Sequence, residues 1–111
     1  MSEVYVYVAG PMTKGNWNDN IRNACQMADA LMAYGFWPFV PHLSATWDLV
    51  SPHGYEDWLT LDFAWIRKCD AVFRISGESP GADREVALAN ELGIPVFTSI
   101  AAILEWRKTR G

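Results

Sequence analysis

Short apolar runs alternate along the chain with longer segments whose apolar positions keep helical spacing. Residues 4–8 (VYVYV) form a β-branched and aromatic run closed by Ala9-Gly10-Pro11, which predicts a strand ending in a turn. Tyr5 and Tyr7 then point to one face of that strand and Val4, Val6 and Val8 to the other. Asn18, Asp19 or Asn20 can cap a helix running to about Tyr34, in which Ile21, Ala24, Ala28, Leu31 and Met32 share one side and Gly35 is the stop. Residues 36–40 read as a second strand, and Pro38 suits an edge better than a centre. Residues 41–54 carry Pro41, Pro52 and Gly54 and read as the longest irregular stretch. A helix over 55–68, a strand over 71–75, a turn through Gly77-Glu78-Ser79-Pro80-Gly81 and a helix over 80–92 stopping at Gly93 follow. A strand over 95–98 and a helix over 100–108 complete the pattern.

Strand and helix alternate four times. Parallel strands with covering helices satisfy that order economically, because each right-handed crossover needs room for a helix. The expected fold is therefore α/β, a three-layer Rossmann-like domain around a parallel sheet of four or five strands. In such sheets ligands gather beyond the carboxyl ends of the strands, where the strand order reverses. The segments after the first and third strands, 9–16 and 77–85, are the places to look.

Composition narrows the class. A length of 111 residues gives room for one domain, 1–111, and half of them are hydrophobic, as in a globular chain. No apolar run approaches the roughly 20 residues a membrane span needs, and the start lacks a basic segment followed by an apolar one, so a cytoplasmic protein is expected. The net charge of −4 argues against a broad nucleic-acid surface but leaves a small ligand in a cleft open. Cys25 and Cys69 lack CxxC spacing and read as reduced thiols; His42 and His53 are eleven apart with no matching ligands, so neither metal nor other cofactor is called for. Six tryptophans exceed what one small core hides, which points some of them to a cleft or a subunit interface.

Two acidic residues stand out against this background. Ala82, Val86 and Ala89 make the inward stripe of the 80–92 helix, and Glu85 lies along it, three after Ala82 and four before Ala89. In the 55–68 helix, Leu59, Phe63 and Ile66 form the stripe and Asp62 falls within it. A carboxylate among buried positions costs several kcal/mol, on the order of a buried charge, unless paired or protonated. Glu85 is thus either an ion-pair partner, of Arg84 or Arg74, or a functional group. Two such acids beside one cleft are what glycosidic chemistry needs, one for the sugar and one for the leaving group or water. A buried salt-bridge network is the competing reading. Ahead of Glu85, Ser79 can cap the helix, Pro80 suits its first position, and the free amides of Gly81 and Ala82 would attract a phosphate or carboxylate. Tyr7, near the end of its strand, can offer its hydroxyl to a ligand or simply pack.

Tyr7-Val8-Ala9-Gly10-Pro11-Met12 resembles the opening motif of the nucleoside 2-deoxyribosyltransferase-like superfamily. The likeness continues through Asn20-Ile21-Arg22-Asn23-Ala24, Pro38-Phe39-Val40-Pro41-His42-Leu43 and Tyr55-Glu56-Asp57-Trp58-Leu59 with Asp62. It ends with Arg67-Lys68-Cys69-Asp70-Ala71 and the stretch from Gly77 through Ser79, Gly81 and Ala82 to Glu85. The resemblance implies a flavodoxin-like domain, usually dimeric, that splits or exchanges the N-glycosidic bond of deoxynucleosides or their 5′-monophosphates. By the same resemblance Glu85 is the nucleophile, Asp62 touches the sugar hydroxyls and helps move protons, and Tyr7 lies near both. Gly10 is the turn glycine that admits the ligand, with Pro11 and Met12 beside it. Ser79 stands where the transferases carry an aspartate for the sugar 5′-hydroxyl and the monophosphate hydrolases carry a serine near the phosphate. The hydrolases' arginine after the first strand is replaced here by Thr13-Lys14, a point charge in place of a bidentate fork.

Two readings follow. One is an N-glycosidase or deoxyribosyltransferase acting through Glu85. The other is a non-catalytic protein that binds, senses or sequesters a nucleotide or its derivative. In either case the partner is a small molecule, with no nucleic-acid polymer and no membrane. The 55–68 helix is apolar nearly all round, with Trp58, Leu61 and Trp65 opposite the inward stripe, so a homo-oligomer packed through that helix is expected.

Overall fold

The computed structural model describes residues 3–110. Strand β1 (Tyr5–Ala9) is followed by α1 (Trp17–Ala33), β2 (Trp37–Phe39), a 3₁₀ turn (Pro41–Leu43), α2 (Ser44–Val50) and α3 (Tyr55–Ile66). Then come β3 (Ala71–Arg74), α4 (Pro80–Leu92), β4 (Val96–Phe97) and α5 (Ile100–Thr109). The four strands pair in parallel in the order β2-β1-β3-β4.

Alternation along β1 divides the molecule into layers. Val4, Val6 and Val8 pack with Ala24 and Leu31 of α1, Phe73 of β3 and Ile103 of α5. Tyr7 and Ala9 point the other way, onto Ile66 of α3 and Ala82 and Ala89 of α4. The sheet therefore lies between two helical layers, a flavodoxin-like α/β fold. Pro38 sits in β2, the edge strand, where its missing N–H is harmless.

Three local expectations need correction. Residues 41–54 are not irregular throughout, since the 3₁₀ turn and the seven-residue α2 occupy most of them. Neither carries a side-chain cap, so packing rather than local signals holds them. Helix α1 begins earlier than expected, capped by Asn16, whose Oδ1 accepts from the Asp19 amide at 3.0 Å. Trp58 does not sit on an outward face of α3 with Trp65. It is half-buried, and its indole N–H donates to Asp48 at 2.8 Å.

The order of strands reverses between β1 and β3, so the loops leaving these two strands part there. They are held tightly against each other. A Cβ on Gly10 would come within 3.0 Å of Ile75 Cβ, and one on Gly77 within 2.7 Å of Pro11 Cγ. Gly77 also has φ +124°, outside the range of ordinary side-chain-bearing residues. The glycines thus let two loops meet at the mouth of the sheet.

Candidate active site

A cavity of about 790 Å³ opens at this switch point. Its wall includes Gly10, Met12 and Lys14 from the loop after β1, and Ser79, Gly81, Ala82 and Glu85 from the start of α4. Asp62 and Trp58 of α3, with Asp48 of α2, close it on the far side. The two loops singled out by topology therefore do border one hollow.

Glu85 and Asp62 reach it from separate helices. Each lies on the inward stripe of its helix, and only 5% of Glu85 and 9% of Asp62 is exposed. Neither expected arginine neutralises Glu85. Arg84 pairs with Glu56 at 2.8 Å, while Arg74 pairs with Asp83 at 3.1 Å and donates to the carbonyls of Ile75 and Gly77. No ion pair reaches Glu85 among the described residues, and that removes the salt-bridge reading. Its partner is Tyr7, fully buried beneath the cavity, whose hydroxyl donates to Glu85 Oε2 at 2.5 Å.

The electrostatics follow from this packing. Burial pushes the Glu85 carboxyl up, and Asp62 beside it pushes further, against the hydrogen bond from Tyr7. Burial also raises Asp62, although hydrogen bonding to Glu85 and Tyr7 works the other way. Two neighbouring buried carboxyls cannot both ionise cheaply, so the pair holds a proton that isolated acids would have lost. The Tyr7 hydroxyl, buried against both, is held far from ionisation and acts as a donor only.

The anion-binding end is less open than the sequence suggested. The Ala82 amide is not free: it donates to Ser79 Oγ at 3.1 Å as the helix cap. Pro80 has no N–H, which leaves the Gly81 amide as the cleft-side donor of this first turn. The Ser79 hydroxyl hydrogen stays available, because Oγ acts as acceptor in the cap. Lys14 is exposed on the cavity rim and supplies positive charge there. Pro11 is not on the wall: its ring abuts Gly77 and its carbonyl accepts from His42 Nε2 at 3.0 Å.

Two groups escaped sequence reasoning. His42 is 1% exposed, tethers the loop after β1 through Pro11, and is kept neutral by burial; its Nδ1 has no partner among the described residues. The sequence marks it only as a possible metal ligand and as part of the motif running from Pro38 to Leu43. Asp48 borders the cavity and binds both the His53 amide and the Trp58 indole. Nothing local marks it, because its partners lie five and ten residues on. Among the described residues no cluster of three or more histidine, cysteine or acidic side chains could hold a metal ion.

A parallel β2-β1-β3-β4 sheet covered on both faces by helices, with two acids from separate helices at its switch point, defines a flavodoxin-like α/β protein. The fold is similar to that of a 2-deoxyribosyltransferase from the psychrotolerant bacterium Bacillus psychrosaccharolyticus, with a TM-score of 0.61 at 22% identity. The similarity covers 83% of this chain and 69% of that one. Residues 4–98 match the family model described as a domain of unknown function (DUF4406), and the chain belongs to that family. No protein of curated function is significantly similar in sequence.

Proposed function

We propose that this protein cleaves or exchanges the N-glycosidic bond of a 2′-deoxynucleoside or its 5′-monophosphate, with Glu85 as nucleophile. The observation that carries the reading is a pair of buried carboxyls, free of any ion pair among the described residues, on the wall of a cavity at the sheet's switch point. Structural ion-pair networks neutralise their acids; this pair is left with a shared proton and a tyrosine donor.

In the proposed reaction the ionised Glu85 attacks C1′ as the C1′–N bond breaks. The bond's electron pair leaves with the base, which takes the proton held by Asp62. The result is a glycosyl ester on Glu85 and an ionised Asp62. Water then attacks C1′, releasing the sugar and restoring the Glu85 carboxylate while its proton returns to Asp62; in transfer, a second base takes the place of water. Carboxyls that flank a sugar stand roughly 5–5.5 Å apart in retaining glycosidases. Asp62 and Glu85 border the cavity from separate helices, so a sugar between them can meet both. Burial and the neighbouring Asp62 favour the proton on Glu85 in the free protein, so attack requires that proton to pass to Asp62, after which the Tyr7 hydroxyl holds the Glu85 carboxylate. The Ser79 hydroxyl, the Gly81 amide and Lys14 serve a 5′-phosphate, with Met12 and Gly10 along the sugar.

The experiment is a panel of nucleosides and nucleotides incubated with the protein, with base release followed by chromatography. Release by wild type and its loss, by about 10³-fold or more, in Glu85→Ala is expected for removal of a nucleophile. Equal background from both proteins on every substrate contradicts the proposal. The alternative, a cytoplasmic binder without turnover, would show melting-temperature shifts with no product. A ligand at 100 times its Kd adds about 2.7 kcal/mol of apparent stability.

Self-association belongs to the same reading. With Trp58 turned to the cleft, the exposed aromatic surface on this side is Trp65 of α3 with Tyr5 and Trp37, which flank a shallow hollow at the open β2 edge. A second copy of the chain would cover it.

A further inference from the structure

The outer half of the cavity has its own architecture, built from α2, the loop after it and the start of α3. Asp48 Oδ1 accepts two protein donors, the His53 amide at 2.9 Å and the Trp58 Nε1 at 2.8 Å. Its Oδ2 has no protein hydrogen bond among the described residues, and the residue borders the cavity. Trp58 is wedged edge-on by Trp47 at 5.0 Å and 81° and by His53 at 5.2 Å and 82°. Those two contacts fix the plane of the indole. Trp58 thus presents a rigid aromatic surface to the cavity beside an acceptor that can only accept.

Spacing ties this surface to the proposed reaction centre. Trp58 and Asp62 are four residues apart on α3 and both border the cavity, so they share a face, separated by about 6 Å along the axis. A sugar seated at Asp62 and Glu85 therefore directs its attached base toward Trp58 and Asp48.

Resting on the N-glycosidic reading of this site, we propose that Asp48 and Trp58 form the base subsite and select bases that carry an exocyclic amine, the adenine and cytosine class. An amine N–H meets Asp48 Oδ2 as a donor, whereas hypoxanthine and uracil place a carbonyl oxygen there and meet a carboxylate with acceptor against acceptor. The His53 amide, and after it the Trp58 indole, hold the Asp48 carboxyl below the usual carboxylate range, so it stays an acceptor at neutral pH.

Substitution by asparagine gives a sharp test, because the two donors on Oδ1 dictate which way the amide sits. Asp48→Asn keeps its oxygen on His53 and Trp58 and turns its NH₂ toward the base, converting the subsite from acceptor to donor. Affinities are read by quenching of tryptophan fluorescence in wild type and Asp48→Asn. The ligands are 2′-deoxyadenosine against 2′-deoxyinosine and 2′-deoxycytidine against 2′-deoxyuridine, each also as its 5′-monophosphate. Base release is followed in the same samples by chromatography. Wild type is expected to favour the amine member of each pair by about tenfold or more, and Asp48→Asn to favour the keto member. Equal affinity within the pairs in wild type, an unchanged preference in Asp48→Asn, or no quenching by any ligand overturns the inference. Base release without amine selectivity leaves the N-glycosidic reading standing and removes this one. Amine-selective binding with no release does the reverse.

Discussion

At the scale of single residues, Glu85 sits where function and stability oppose each other. Burial and the neighbouring Asp62 hold its carboxyl well above the ordinary carboxylate range, so the folded chain keeps a proton over a pH window where the unfolded chain has lost it. The native state therefore binds more protons across that window, and stability falls as pH rises through it. Asp62 is shifted in the same direction and adds to the trend. Glu85→Gln removes the ionisation while keeping an acceptor for the Tyr7 hydroxyl and a donor toward Asp62. It should raise stability at pH 8 by roughly 1–3 kcal/mol, a gain that fades toward pH 5 as wild-type Glu85 takes up its proton. Thermal melts across that range check this, and a destabilised variant at pH 8 would refute it. The same substitution should abolish turnover, the usual opposition between a strained site and a relaxed one. Glu85 and Asp62 were legible in the sequence because helical spacing put a charge inside an apolar stripe. Their protonation was not, since it depends on Arg84 and Arg74 being engaged by Glu56 and Asp83.

At the scale of elements, the start of α4 carries two duties. Ser79 caps the helix through Ala82, and its hydroxyl hydrogen remains for a ligand. Ser79→Ala should cost about 1 kcal/mol of stability through the lost cap. Ser79→Asp keeps a capping oxygen and adds a negative charge, so stability should hold while 5′-monophosphates lose affinity relative to the unphosphorylated nucleosides. Chemical denaturation together with paired binding curves separates the two effects; an equal loss for both ligand types would exclude Ser79 from the phosphate end. This helix was readable from serine, proline and the terminal glycine, each at its signalling position. Helix α2 was not, because its seven residues lie between Pro41 and Pro52 with no capping side chain. Asp48 went unseen with it. The departure of Trp58 from its expected face has the same origin: spacing assigns a side of the helix, but the Asp48 bond that draws the indole to the cleft comes from another segment.

For the whole molecule, parallel pairing, the edge position of the strand carrying Pro38 and the location of the cleft were legible in the alternation of elements, whereas the order β2-β1-β3-β4 came only with the structure. No helix among the described residues is long and apolar enough to cross a membrane. The surface around Trp65, Trp37 and Tyr5 should bury itself in a homo-oligomer, and Trp65→Glu combined with Trp37→Glu should release monomers in light scattering. A monomeric wild type at working concentration would contradict that. Both acids and the tyrosine that binds Glu85 come from one chain. Covalent attack by Glu85 is the claim on which the reaction stands. It is tested most directly by acid-quenching the protein during turnover of a 2′-deoxynucleoside or its monophosphate, then measuring intact mass and mapping the peptides. One deoxyribosyl unit, with or without its phosphate, is predicted on the peptide carrying Glu85 and absent from Glu85→Ala. Base release that persists in Glu85→Ala, with no adduct on that peptide in wild type, would contradict it.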